Sequence, residues 1–349
     1  MSKSIYGSLP GMKNKRKRIY IWPLNSKNQG NPYIRDLADS IAEFYVISNA
    51  GRPLRLGVFE LFLFLFRADI FLFNWIENLS YRKFGNLQTA IFLFQLLLIK
   101  LFGKKVAWTI HNKFGHRVNS SVVLLNRILF KHSDFIICHS REGIEWYQNK
   151  FKTRTGDYLF TPHPIKNRLT KKTPQKKYEI LIWGTIAPFK GIDLFLKTLT
   201  ENHQENNYRI LIVGKCYDKE YDRKIRGYLN DQIEFVNEYL PFEELQNKIL
   251  AAKIILFTYR GDSVLSSGAL TDSLSLGANV IGPDNGAFRE YAESGLVRTF
   301  KDYYELIETI IPGSLETKPD REELRSFIEN NSWRKFGERI SAYFNRNQA

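Results

Sequence analysis

Cysteine is almost missing from this chain: Cys138 and Cys216 are the two present in 349 residues, far apart and in no disulfide or metal-ligand spacing. That pattern fits a reducing compartment. Acidic residues are also scarce, 36 Asp and Glu against 51 Lys and Arg, for a net charge of +15. With a sequence pI near 9.6, acidic partners are expected: nucleic acid, anionic lipid or nucleotide-linked substrates. Zinc-finger spacings and RNP-like aromatic motifs are absent, so nucleic acid is not an expected partner. There is no G-x-G-x-x-G fingerprint and no G-x-x-x-x-G-K-S/T loop, which argues against dinucleotide oxidoreductases and P-loop kinases. No apolar run reaches the roughly 20 residues that span a bilayer. The N-terminus is polar, with Lys13, Lys15, Arg16, Lys17 and Arg18 leading into a strand, so no secretory signal is expected.

What is present is a strand–helix alternation, with 44% hydrophobic residues, ample for two cores. In the first half, strands are expected over 18–23, 44–49, 69–75, 104–112 and 134–140, with an amphipathic helix from Ile34 to Phe44. Strands apolar on both faces, separated by helices, predict a parallel α/β sheet covered on each side. The proline- and lysine-rich stretch Pro162 to Lys177 reads as a linker. The alternation then restarts, with strands over 178–184, 208–214 and 233–239. The expected architecture is two Rossmann-like domains facing a cleft: residues 1–165, residues 166–325, and a tail of 326–349 packing back on the first. Just before the tail, Asp320 with Glu323 makes a capping box. Trp333, Phe336, Ile340 and Phe344 share one helical face.

The segments 58–66 (VFELFLFLF) and 90–102 (AIFLFQLLLIKLF) are expected as helices on a sheet. One face of each is placed in a membrane interface beside Lys83, Lys100, Lys104 and Lys105.

Ligands of parallel sheets sit at the carboxyl ends of strands. Residues 254–283 carry the clearest such place: an apolar strand, a polar loop, then a helix opening at Ser266-Ser267-Gly268. Free backbone N–H groups and the helix dipole make that turn a phosphate cradle. On the first half, Gly30 and Asn31 are expected to approach a diphosphate or acceptor closely, with His111 and Asn112 at another strand end. His116 is a candidate base toward an acceptor hydroxyl, and Glu77 its rival.

The second half resembles the GT-B glycosyltransferases, especially the large retaining family 4. WGTIAPFKGIDLFLKTL, IEFVNEYLPFEELQNKILAAKIILFTYR and SSGALTDSLSLGANVIGPDNGAFREY fall in register with that family's landmarks. The first half adds WTIHNKFGH and DFIICHS. The resemblance covers most of residues 104–295. It implies a GT-B fold and donor binding by the loop carrying Gly184, Thr185 and Lys190, with Lys190 on the diphosphate. Thr185 stands where the family has an arginine, and Arg260 or Lys215 is expected to compensate. Asp272 matches the glutamate that holds the ribose hydroxyls; the partner glutamate is absent, Val264 and Leu265 standing near its place. His111 matches the histidine beside the donor sugar, and the strand end Val236 to Tyr239 the place that receives the nucleobase.

The implied function is metal-independent hexosyl transfer from a UDP- or GDP-linked sugar to a glycan or lipid-linked glycan. Retention of configuration is expected, in cell-surface polysaccharide synthesis at the cytoplasmic membrane face. No separate cofactor is needed, the nucleotide sugar being a substrate. A sugar-nucleotide epimerase and a non-catalytic module binding anionic glycan or lipid are the alternatives.

Overall fold

The computed structural model describes residues 16–24, 32–51, 56–113, 119–152, 157–170, 174–260, 265–317 and 319–346. Two six-stranded parallel sheets organise it. The first contains β1 (Arg18–Trp22), β2 (Val46–Ile47), β3 (Ile70–Asn74), β4 (Lys105–Ile110), β5 (Phe135–Cys138) and β6 (Leu159–Phe160), in the order β2-β1-β3-β4-β5-β6. The second contains β7 (Tyr178–Trp183), β8 (Ile210–Val213), β9 (Ile233–Val236), β10 (Ala252–Leu256), β11 (Val280–Pro283) and β12 (Arg298–Phe300), in the order β12-β11-β10-β7-β8-β9. Every residue of β3 and β8 is buried, because helices cover both faces of each sheet.

The first lobe's helices are α1 (Tyr33–Ile41), α2 (Glu60–Phe64), α3 (Gly85–Leu101), α4 (Ser120–His132) and α5 (Arg141–Phe151). The second lobe adds α6 (Ile192–Glu201), α7 (Lys219–Arg226), α8 (Phe242–Ala251), α9 (Gly268–Ser275), α10 (Gly286–Glu293), α11 (Tyr303–Glu305), α12 (Ile311–Ser314) and α13 (Arg321–Asn330). The last helix, α14 (Trp333–Arg346), returns to the first lobe. Its Phe336, Ile340, Tyr343 and Phe344 are buried in one cluster with Ile19, Leu37 and Ile137. Asp320 caps α13 by accepting from the Glu322 and Glu323 amides at 2.8 and 3.1 Å.

Several elements differ from the sequence pattern. The strand expected over 44–49 shortens to two residues, Val46–Ile47. The helix expected over 58–66 opens as a 3-10 turn, Gly57–Phe59, before α2. The edge strands β6 and β12 were not expected, being too short for a two-residue period to show.

Chain order reverses direction across each sheet between β1 and β3, and again between β7 and β10. Crevices open outside the carboxyl ends of strands at such switch points. In the second lobe this brings the loop after β7 beside the loop after β10.

Candidate active site

Lys190 ends a 3-10 turn, Pro188–Lys190, that follows β7. Gly191 then takes φ near +69°. A Cβ there would overlap the Thr258 carbonyl and the Tyr303 hydroxyl, so only glycine lets this loop press against β10. The folded loop buries Lys190 to 8% exposure. Its Nζ donates to the Tyr259 hydroxyl at 2.6 Å and lies 4.1 Å from the centre of that ring. Among the described residues no carboxylate lies within ion-pairing distance of it. Tyr259 in turn shares a 3.1 Å hydrogen bond with Ser267 Oγ. Ser267 is the N-cap of α9 and accepts from the Leu270 amide. A buried ammonium with no counter-ion among the described residues, facing a helix N-terminus, is an arrangement suited to an anion.

These groups line a cavity of about 480 Å³ between the lobes. Gly184, Thr185, Lys190, Ser266, Ser267, Gly268 and Asp272 all border it, as does Asn112 from the first lobe. Asp272 Oδ1 is held by Arg168 at 2.7 Å. Its Oδ2 has no protein donor among the described residues, and burial raises its carboxyl above the usual range.

The other expected residues stand elsewhere. Arg260 makes a close ion pair with the buried Asp193, which also accepts from Tyr221 and Lys224. With Arg289 and Lys301 it borders a neighbouring cavity of about 530 Å³. Lys215 reaches only the Asn237 carbonyl at 3.5 Å, and Tyr239 is 73% exposed; neither borders the main cavity. The other cations at the cavity stand on the segment between the lobes. Lys166 and Arg168 both border the cavity, each already paired, with Asp36 and Asp272. The basic composition of that segment was the available signal, legible as a linker but not as a wall of the site. Gly30, Asn31, His116 and Val264 lie outside the described residues.

On the first lobe, His111 is buried and does not border the cavity, whereas His163 does; His111 packs flat on Trp75, ring centres 3.9 Å apart. Asn74 donates its amide to the Trp22 carbonyl, so its Oδ1 accepts from His111 Nε2–H at 3.2 Å. That leaves His111 Nδ1 as a lone-pair acceptor, and burial holds the ring neutral, well below its ordinary pKa. Tyr33, which borders the cavity, stands edge-on to His111 and donates to His139 Nε2 at 2.8 Å. Burial drives His139 down to about 3 and His163 to about 4. Glu77 does not reach the cavity: it is buried beneath the turn after β3, its carboxyl pushed up to about 7 by desolvation.

The lobes meet through a reciprocal pair of carboxylates. Glu290 of α10 accepts from Ser140 Oγ and the Arg141 amide, at 2.9 and 2.6 Å, at the N-terminus of α5. Glu142 of α5 accepts from the Gly286 amide at 2.8 Å, at the N-terminus of α10, while holding Lys113 at 2.7 Å. Each acid caps the other lobe's helix. Leu265, beside the place of the absent glutamate, is buried in the first lobe's core cluster.

No protein-family model matches the chain, and no curated protein matches it in sequence. Solved structures do. HepE from Anabaena, in complex with UDP and glucose, aligns over 95% of this chain and 100% of its own at 11% identity, TM-score 0.63. The fold is that of the GT-B glycosyltransferases. AviGT4, a glycosyltransferase involved in avilamycin A biosynthesis, aligns over 95% and 97% at 16% identity, TM-score 0.59. A trehalose-6-phosphate synthase, studied for glycosyl transfer with retention, aligns over 83% and 77% at 11% identity, TM-score 0.57. The switch-point cavity thus lies in the cleft between two GT-B lobes.

A second surface stands out on the first lobe. The buried face of α3 carries Phe92, Leu96 and Ile99, yet Leu87, Phe94, Leu97 and Leu101 on its other side are exposed. Phe62 of α2 meets Phe94, and Phe66 meets Phe102, so the exposed residues form one patch. Lys83 stands over Phe84 at its margin, and Lys100 and Lys105 pair with Asp134 nearby. No helix among the described residues is long and apolar enough to cross a membrane.

Proposed function

We propose that this chain is a hexosyltransferase that moves a sugar from a nucleoside-diphosphate sugar, UDP- or GDP-linked, to a glycan or lipid-linked glycan. The carrying observation is Lys190, a buried ammonium with no carboxylate partner among the described residues, beside the Ser267-capped N-terminus of α9. Breaking the bond from the anomeric carbon places negative charge on the departing diphosphate. Lys190 and the free amides at the start of α9 stabilise that charge most where it has developed most. These groups supply the compensation without a metal ion. Asp272 Oδ2 is the acceptor for the ribose hydroxyls. His111, held neutral with Nδ1 unprotonated, is off the cavity lining and packed against Tyr33, so its contact with a hydroxyl of the donor sugar requires Tyr33 to move aside. Gly30, Asn31 and His116 approach the diphosphate and acceptor from the first lobe. Retention of configuration is part of the proposal, in keeping with the similarly folded trehalose-6-phosphate synthase.

The exposed patch on α2 and α3 gives the acceptor side its setting. Apolar side chains flanked by lysines seat a protein in the interface of an anionic membrane. The proposal sets this activity at the cytoplasmic membrane face, in building cell-surface polysaccharide.

A donor screen tests the reading. Incubation with UDP- and GDP-sugars, with and without lipid-linked acceptor, is expected to release nucleoside diphosphate from one donor class. Lys190→Ala abolishes release with the fold intact. Absence of turnover with every donor, or full turnover by the variant, would contradict it.

A further inference from the structure

At the opposite end of the second sheet from Lys190, a cavity of about 440 Å³ opens beside the starts of β10 and β11. Leu169, Leu276, Ala278, Leu315 and Leu324 give it an apolar lining. Among the described residues four cations border it, Lys176, Lys253, Arg321 and Arg325, and no acidic residue does. Lys253 has Glu179 at 3.6 Å, outside the lining. Arg321 and Arg325, one turn apart on α13, have no carboxylate within ion-pairing distance among the described residues. Like charges at that spacing repel, and a shared anion relieves the repulsion. The volume and the apolar lining are those of a small-molecule site.

We propose that this cavity is an effector site for a small amphipathic anion, with its carboxylate or phosphate head between Arg321 and Arg325 and its apolar body over the leucines. Two physical connections lead from it to the donor cavity. Asn167, Leu169 and Thr170 border this cavity, while Arg168 between them borders the other and holds Asp272. Helix α9 begins at Ser267 in the donor cavity and runs into Leu276 and Gly277 here. An occupant therefore acts on the segment and the helix that position Asp272. This coupling rests on the donor-site reading; the binding itself does not.

Calorimetric titration of the full chain with decanoate and with decyl phosphate, both below their micelle concentrations, tests the site. One saturable site is expected for one or both probes, the stronger identifying the head group. Decanol and inorganic phosphate alone bind far more weakly. Arg321→Ala with Arg325→Ala weakens binding about tenfold or more through lost charge-assisted hydrogen bonds. Ala278→Phe, which fills the apolar lining, also weakens it. Phe94→Glu with Leu97→Glu, on the distant patch, leaves it unchanged. Absence of saturable binding overturns the proposal, as does binding that survives the arginine variant and disappears with the patch variant. Occupancy is also expected to shift the UDP dissociation constant in the wild-type chain but not in the arginine variant. Binding with no such shift overturns the coupling. A chain that binds the probes but no nucleotide contradicts the glycosyl-transfer reading and leaves the site standing.

Discussion

The two lobes share one architecture and treat water differently. Among the described residues of the second lobe the exposed large hydrophobics are all tyrosines, Tyr217, Tyr239 and Tyr304, each with a hydroxyl to hydrate. In the first lobe Phe59, Leu63, Phe66, Phe84, Leu87, Phe94, Leu97 and Leu101 stand in the open. The interiors of the cleft differ in a complementary way. The second lobe buries a cation, Lys190, without a counter-ion among the described residues; the first buries neutral histidines whose tautomers are set by Asn74 and Thr161. The second lobe turns a buried cation toward the cleft, and the first carries an apolar surface on its outer helices. Fold alone does not distribute function between such halves; the side chains at the switch points and on the outer helices do.

The largest test of that contrast is Lys190→Met. Removing the group aimed at the leaving charge is expected to lower donor turnover about 100- to 1,000-fold. Thermal unfolding should show the variant at least as stable as the wild type, because a buried charge without a partner opposes folding. Equal turnover, or a marked loss of stability, breaks the comparison at its stronger end. Next in size is the patch: Phe94→Glu with Leu97→Glu is expected to weaken binding to anionic vesicles about tenfold or more. Donor hydrolysis without lipid stays unchanged. Co-sedimentation that does not respond to the substitutions would deny the first lobe its membrane role.

Acid stability comes third. His139 and His163 titrate near 3 and 4 in the folded chain, far below an ordinary imidazole. The unfolded chain takes up protons below about pH 6.5 that the folded chain refuses, so each ring costs up to about 1.4 kcal/mol per pH unit as pH falls toward 4. Glu77, raised to about 7, works in the opposite sense, its stabilisation being lost as pH rises from the usual carboxylate range toward 7. Two imidazoles outweigh one carboxyl, so denaturant midpoints are expected to fall steadily from pH 6.5 to pH 4.5. A flat profile would mean that these rings are hydrated.

The smallest effect is expected at the contact between lobes. Glu290→Gln keeps an acceptor for Ser140 and Arg141 but loses its charge at the α5 N-terminus. A cost of about 1 kcal/mol is expected, read as a rise in KM with little change in kcat. A fall in kcat alone would place Glu290 in the chemistry rather than in lobe alignment.

Much of this was legible in the residues. Strands apolar on both faces announce a covered parallel sheet, and the glycine-flanked lysine and the serine-capped helix do meet at one cavity. Arg260 shows the boundary of such reasoning. Its charge is spent on Asp193, three residues after Lys190, and no spacing reveals that a distant loop folds onto that carboxylate. Lys166, Arg168 and Tyr33 border the cavity for the same kind of reason: only the closed arrangement of two lobes and the segment between them brings these residues together.

The most direct measurement is the structure of the chain with UDP bound. The account places the diphosphate within hydrogen-bonding distance of Lys190 Nζ and the amides that open α9, in the cavity bordered by Asp272. Nucleotide found instead in the neighbouring cavity of Arg260, Arg289 and Lys301, with Lys190 still bound only to Tyr259, would contradict it.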